Sequence, residues 1–144
     1  ARRSEAPFET TTDLAETVET AVGGRKGARI HPATLTFQAI RMYINSELEQ
    51  IEKALAASLS VLMEGGRLVV ISFHSLEDRL VKQFMKKHSQ GKQVPRGMPI
   101  SEEEIQKGKK LALVGRKTKP SKQEVSDNVR ARSSVLRVAE RLAH

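Results

Sequence analysis

The run from Gly65 to Arg79, GGRLVVISFHSLEDR, constrains this chain more than any other stretch. Its paired glycines fit the left-handed cap and turn that end an amphipathic helix. The aliphatic and β-branched residues that follow do not alternate with polar ones. They predict a parallel strand over 67–73, covered on both faces. Polar residues stand at the carboxyl end of that strand, and Ser75-x-x-Asp78 is a capping box that starts a further helix, to about Lys87. Open α/β sheets bind their ligands in the crevice at the carboxyl ends of strands. Ser72, His74 and Ser75 therefore mark a candidate site, with Glu77 and Asp78 beside them as candidate acid-base groups.

The flanking sequence fills in the architecture. Thr10 to Asp13 supplies hydroxyls and an acid for a helix start, Leu14, Val18, Ala21 and Val22 recur at helical spacing, and Gly23-Gly24 stops the helix. Arg25 to Ile30 reads as a basic loop, and Pro32 lies near a first helical position. Phe37, Ile40, Ile44, Leu48, Ile51, Leu55, Leu59 and Leu62 form one apolar stripe. The capping box Ser46-x-x-Glu49 divides it into helices over 33–44 and 47–63. Leu76, Leu80, Val81 and Phe84 form the inner face of the helix after the strand. Residues 89–100 read as a loop, Ser101-x-x-Glu104 and Ser121-x-x-Glu124 as short helix starts, and 111–118 and 134–140 as strands. Leu136 and Val138 share one side of the last strand. The order predicts an α/β fold resembling the second half of a doubly wound sheet. Strand 67–73 becomes an apolar edge, which proteins rarely leave bare, so a missing first half of the sheet, or another chain, is expected to cover it.

Composition narrows the chemistry. The chain has 144 residues, enough for one domain with a real core, and aromatics are only 3% of it, so the core is aliphatic. It has no cysteine, which excludes disulfides and thiolate metal sites. No apolar stretch reaches the roughly 18 residues of a membrane span, and no apolar segment follows Arg2-Arg3 as a secretory signal would require. A cytoplasmic location is expected. A net charge of +8, gathered in loops and chain ends, points to a nucleic-acid partner.

Specific side chains carry less. His74 lining a site competes with His74 as a structural hydrogen-bonding residue. It has no metal-ligand partners at useful spacing among His31, His88 and His144, so no metal is expected. Glu77 and Asp78 fit capping and helix-dipole roles as well as acid-base work. Gly23, Gly24 and Gly27 follow no strand and form neither G-x-G-x-x-G nor a P-loop. Arg130-Ala131-Arg132-Ser133-Ser134 suits phosphate contacts and equally a solvated edge.

In combination these blocks are more specific. His31-Pro32-Ala33-Thr34, Thr36-Phe37-Gln38-Ala39-Ile40-Arg41, Asn45-Ser46-Glu47-Leu48, the 64–79 run, Gln93-Val94-Pro95 and Arg130 to Arg137 together resemble the MraW/RsmH family. Thr10 to Ala15 also looks like it. Glu64 stands where proline is common and Leu35 where arginine is usual, which removes one contact to RNA or to a carboxylate. The resemblance implies an S-adenosylmethionine-dependent methyltransferase acting on the N4 amine of a cytosine in small-subunit ribosomal RNA. It implies a Rossmann-like class I fold with a helical insert. Residues 1–30 would end the insert, and 31–144 would be the C-terminal portion of the catalytic domain, with strands five, six and seven. Strand seven would run antiparallel between the other two. Arg29, His31, Arg41, Arg130 and Arg132 are the expected RNA-binding residues. The family's cofactor loop, ribose-binding acid and amine-positioning segment precede the matched blocks, so cofactor-binding residues are expected upstream and this chain alone is expected to be inactive. The alternative is a non-catalytic, stand-alone RNA-binding module of the same ancestry; a homodimer stays open.

Overall fold

A computed structural model describes residues 2–91 and 101–143. Gln93-Val94-Pro95 and most of the loop read over 89–100 lie outside those residues. The chain divides into two compact units, Ala1–Glu47 and Leu48–His144.

The first unit is helical: α1 (Arg2–Glu5), α2 (Thr11–Ala21) and α3 (Ala33–Ile44), with α3 packed along α2. Thr10 caps α2, its hydroxyl accepting from the Asp13 amide at 3.1 Å. Asp13 in turn holds Arg2 at 3.0 Å. Ser46, at φ 50, breaks the apolar stripe after α3.

The second unit is a three-stranded sheet with helices. It contains α4 (Glu47–Val61), β1 (Arg67–Ser72), α5 (Ser75–Ser89), α6 (Glu102–Lys107), β2 (Leu111–Leu113), α7 (Lys122–Asp127), a 3-10 turn over Val129–Ser133, and β3 (Val135–Arg141). The strand order is β1-β3-β2, and β3 is antiparallel to both neighbours. The last strand thus lies between the other two, as the resemblance implied.

Two glycines set the entry to β1 by different means. Gly65 has φ 73, a backbone conformation that side chains rarely adopt. Gly66 has ordinary dihedrals, but a Cβ there would stand 2.8 Å from the Met63 carbonyl oxygen. Hydrogen bonds from the Gly65 amide to the Arg141 carbonyl (2.9 Å) and from the Arg141 amide to the Gly66 carbonyl (2.8 Å) join this turn to the end of β3.

Register fixes the faces, because directly paired antiparallel residues project to the same side. Leu68 pairs with Ala139, which also pairs with Leu113. That side carries the core: Leu55 of α4, Val81 and Met85 of α5, Leu111 and Ala139 are buried together, with Leu68 and Val70 against them. The other side carries Val69, Ile71, Leu136 and Val138. Val69 and Ile71 are each 54% exposed. The expectation of a parallel strand covered on both faces is therefore corrected. Among the described residues β1 pairs antiparallel, with β3 alone, and only one of its faces is covered. The aliphatic run lacks alternation because both sides of the strand are apolar, not because this chain covers both.

The expected strand over 111–118 is shorter, because Gly115 turns the chain at φ 68. Pairing resumes at a bridge between Thr118 and Leu136. No helix among the described residues is long and apolar enough to cross a membrane.

Candidate functional site

The junction between β1 and α5 forms the centre of the candidate site. Ser72 ends β1 and is 3% exposed. The chain stays extended through His74 (φ −140, ψ 164), which is the N-cap of α5. The capping acid is Glu77, whose Oε2 accepts from the amides of Phe73 at 2.9 Å and His74 at 3.4 Å. The box expected at Ser75 and Asp78 is therefore displaced by one residue. With the extended His74 as N-cap the helix begins one residue earlier than expected, so Ser75 becomes the first helical residue and is exposed.

That displacement frees Asp78. Its two oxygens accept from Arg137 Nε at 2.6 Å and Nη2 at 3.0 Å, tying α5 to the central strand. The Arg137 hydrogen bonds hold the Asp78 carboxyl below its ordinary pKa, overcoming the opposing effect of burial, and the charges of Lys117 and Lys82 add to the lowering. Arg137 is correspondingly raised. Glu77 and Asp78 thus both have structural work, one at the helix start and one across the sheet. His74 Nε2 lies 3.2 Å from Glu77 Oε1, within ion-pair range. Neither ring nitrogen has a hydrogen-bond partner among the described residues, although both are buried.

The β1–β3 register brings a second group to the same end of the sheet. Val135, the first residue of β3, pairs with Ser72, the last of β1. The 3-10 turn just before it therefore lies at the carboxyl end of β1. Asn128 caps that turn, its side-chain oxygen accepting from the Arg130 amide at 3.1 Å, and Ala131 is buried. Arg130 and Arg132 flank this anchor and are exposed. Neither has an ion-pair partner among the described residues. A basic turn and a polar strand end, 58 residues apart in sequence from Ser72 to Arg130, are brought together by one ladder.

Arg29, His31 and Arg41 belong to the first unit. Arg29 is exposed in the turn after α2. His31 Nδ1 accepts from the Ala33 amide at 3.1 Å, and its Nε2 lies 3.1 Å from Glu19 Oε2, so the ring joins α2 to the start of α3. Arg41 is held by both oxygens of Glu47, at 2.9 and 3.1 Å. Leu35 is 75% exposed on α3.

Gly23, Gly24 and Gly27 have φ of 80, 83 and 75 and follow a helix, not a strand. A Cβ at Gly24 or Gly27 would meet nothing within 4 Å, so these glycines serve turn geometry. Gly65 and Gly66 precede β1 instead of following it. None of these five glycines forms a turn that leads from a strand into a helix, the arrangement by which a Rossmann-type sheet holds a nucleotide-type cofactor.

Sequence reasoning missed the Asp78–Arg137 clamp, because nothing local links residues 59 positions apart. It also missed the carboxylate partners of His31 and Arg41. The Arg41–Glu47 pair could have been found, since a break in the helical stripe at Asn45-Ser46 folds two opposite charges toward each other.

Comparison with known proteins supplies the remaining observations. A sequence model of the MraW methylase family matches residues 1–142. A protein of Shewanella denitrificans described as ribosomal RNA small subunit methyltransferase H is 58% identical over 142 residues, covering 99% of this chain and 45% of that protein. Proteins of the same description from Shewanella pealeana and Idiomarina loihiensis are 57% and 60% identical, covering 100% and 97% of this chain and 45% and 44% of their own lengths. The chain spans less than half the length of these curated relatives.

Proposed function

This chain belongs to the MraW methylase family, and from that premise we propose that it is the C-terminal portion of a ribosomal RNA methyltransferase. The enzyme transfers a methyl group from S-adenosylmethionine to the N4 amine of a cytosine in small-subunit ribosomal RNA, in the cytoplasm. The reading is carried by the 58% identity over 99% of the chain to a relative whose name states small-subunit ribosomal RNA methylation. The half-exposed apolar face of β1 supports it, because a longer polypeptide gives that face a cover. In this proposal residues 1–30 end a helical insert and 31–144 belong to a Rossmann-like catalytic domain. The packing boundary after Glu47 differs because α3 lies along α2.

This chain's part in the reaction is to bind and orient. A cytosine amine is a weak nucleophile, since its lone pair is delocalised into the ring. Rate then depends on holding it in line with the methyl donor. Ser72, His74 and Ser75 form a wall at the strand end, kept in place by the Glu77 cap and the Asp78–Arg137 clamp. Arg130 and Arg132 carry phosphate contacts beside that wall, and Arg29 carries them in the first unit. His31 and Arg41 contribute less charge to RNA, because Glu19 and Glu47 already compensate them. Cofactor contacts fall to residues outside this chain.

The test is methyl transfer by the protein that the native gene encodes, with unmodified small ribosomal subunits as acceptor. Incorporation at a cytosine N4 is the expected result. Incorporation on another atom, or none, contradicts the reading.

A further inference from the structure

A second basic feature lies away from the strand end. Alongside α5, the segment following β2 closes a cleft of about 410 Å³. Its rim carries Lys82 and Lys86 from α5, Arg116 and Lys117 from the turn after β2, and Arg137 from β3. Its floor is aliphatic, from Met85 and Leu113. Arg137 is compensated by Asp78. The other four cations have no carboxylate within ion-pair distance among the described residues. Four like charges around one cleft repel one another, and an anion entering it relieves that repulsion.

The floor distinguishes between anions. A free phosphate gains nothing from Leu113, a large apolar side chain of that floor left 55% exposed. A nucleotide strand uses both parts, with its phosphates at the lysines and ribose or base faces on the aliphatic floor. Among the described residues no aromatic or amide side chain lines the cleft to read base edges, so the contact positions a strand without specifying its sequence. Lys82 follows Ser75 by seven residues on α5, about 10 Å along the helix axis. The cleft therefore continues from the strand-end site along the same helix.

We infer that the cleft between α5 and the turn after β2 binds the phosphodiester backbone of single-stranded RNA next to the target nucleotide. This rests on the ribosomal RNA reading above and adds a site to it. Arg116 and the three lysines hold phosphates, and the floor keeps the strand against α5.

The test uses the protein produced from its native gene and a short fluorescent oligocytidylate as probe. Binding is followed by anisotropy between about 50 mM and about 200 mM salt. A variant carrying Lys82→Gln, Lys86→Gln and Lys117→Gln should bind about tenfold more weakly at the lower salt. Its dependence of log affinity on log salt should flatten by about 2, since each phosphate contact to a single strand contributes about 0.7. Arginine at the same three positions should retain binding, which separates charge from any disturbance of α5. An unchanged glutamine variant, in a protein whose binding still falls on loss of Arg130 and Arg132, overturns the cleft and leaves the ribosomal RNA reading standing. Competition by cytidine monophosphate at the oligonucleotide's own affinity overturns the strand assignment in favour of a mononucleotide pocket. Absence of both RNA binding and methyl transfer removes the ribosomal RNA reading, and the cleft assignment with it.

Discussion

Replacing Arg137 by alanine lowers the stability of the second unit by about 2 kcal/mol, measured by urea unfolding at neutral pH. The side chains of Arg137 and Asp78 are 17% and 20% exposed, so the loss stays below the 3–5 kcal/mol of a fully buried pair. The cost arises because Asp78 remains in a part-buried position without its two charge-assisted hydrogen bonds. Arg137→Lys restores the charge but not the forked geometry, and recovers only part of the loss. Stabilities equal to that of the unaltered protein in both variants would show that the clamp is not structural.

The same pair sets an acid limit. The folded-state pKa of Asp78 is lowered, so the unfolded chain binds the proton more readily. The contribution of the pair is complete above the ordinary aspartate value of about 4 and is lost as pH falls below it. Asp78→Asn removes that titration. Its stability should therefore fall less between about pH 4 and pH 2 than that of the unaltered protein. Parallel curves for the two proteins would contradict the assignment.

Changing Arg130 and Arg132 together to alanine weakens RNA binding by about tenfold at low salt and flattens its salt dependence by about 1.4. Both guanidinium groups are exposed and lack ion-pair partners among the described residues, so their full charge is available to phosphate. Stability should be unaffected, because the turn is anchored by buried Ala131 and the Asn128 cap and not by the arginines. Anisotropy at two salt concentrations checks both expectations. Unchanged affinity at both would sink the role given to these arginines.

Local signals in the sequence located most elements. Thr10 as a cap, the break at Asn45-Ser46, the Gly65-Gly66 turn and the strand before His74 could all be read from neighbours within a few residues. The start of α5 was misplaced by one residue, because Ser75 with Asp78 and His74 with Glu77 offer competing boxes. Only the extended backbone at His74 decides between them. The covering of β1 was misjudged for a related reason. An aliphatic strand records that both faces are apolar, but not whether the cover lies within the same stretch of chain. Local patterns recorded no long-range pairing; the family resemblance alone implied that the last strand lies antiparallel between the other two, without its register. The Ser72–Val135 register, the Asp78–Arg137 clamp and the convergence of Lys82 with Lys117 join residues 35 to 63 positions apart, and no periodicity records such distances.

In the proposed enzyme this sheet is completed by further polypeptide of the same protein, which covers Val69 and Ile71 and brings the cofactor residues. The most direct test is the intact mass of the product of the native gene, isolated from its own cell. A mass well above the 16.0 kDa of this chain is expected, in line with relatives of which it spans less than half. A mass near 16.0 kDa would contradict it, and a stand-alone RNA-binding module would then be the better description.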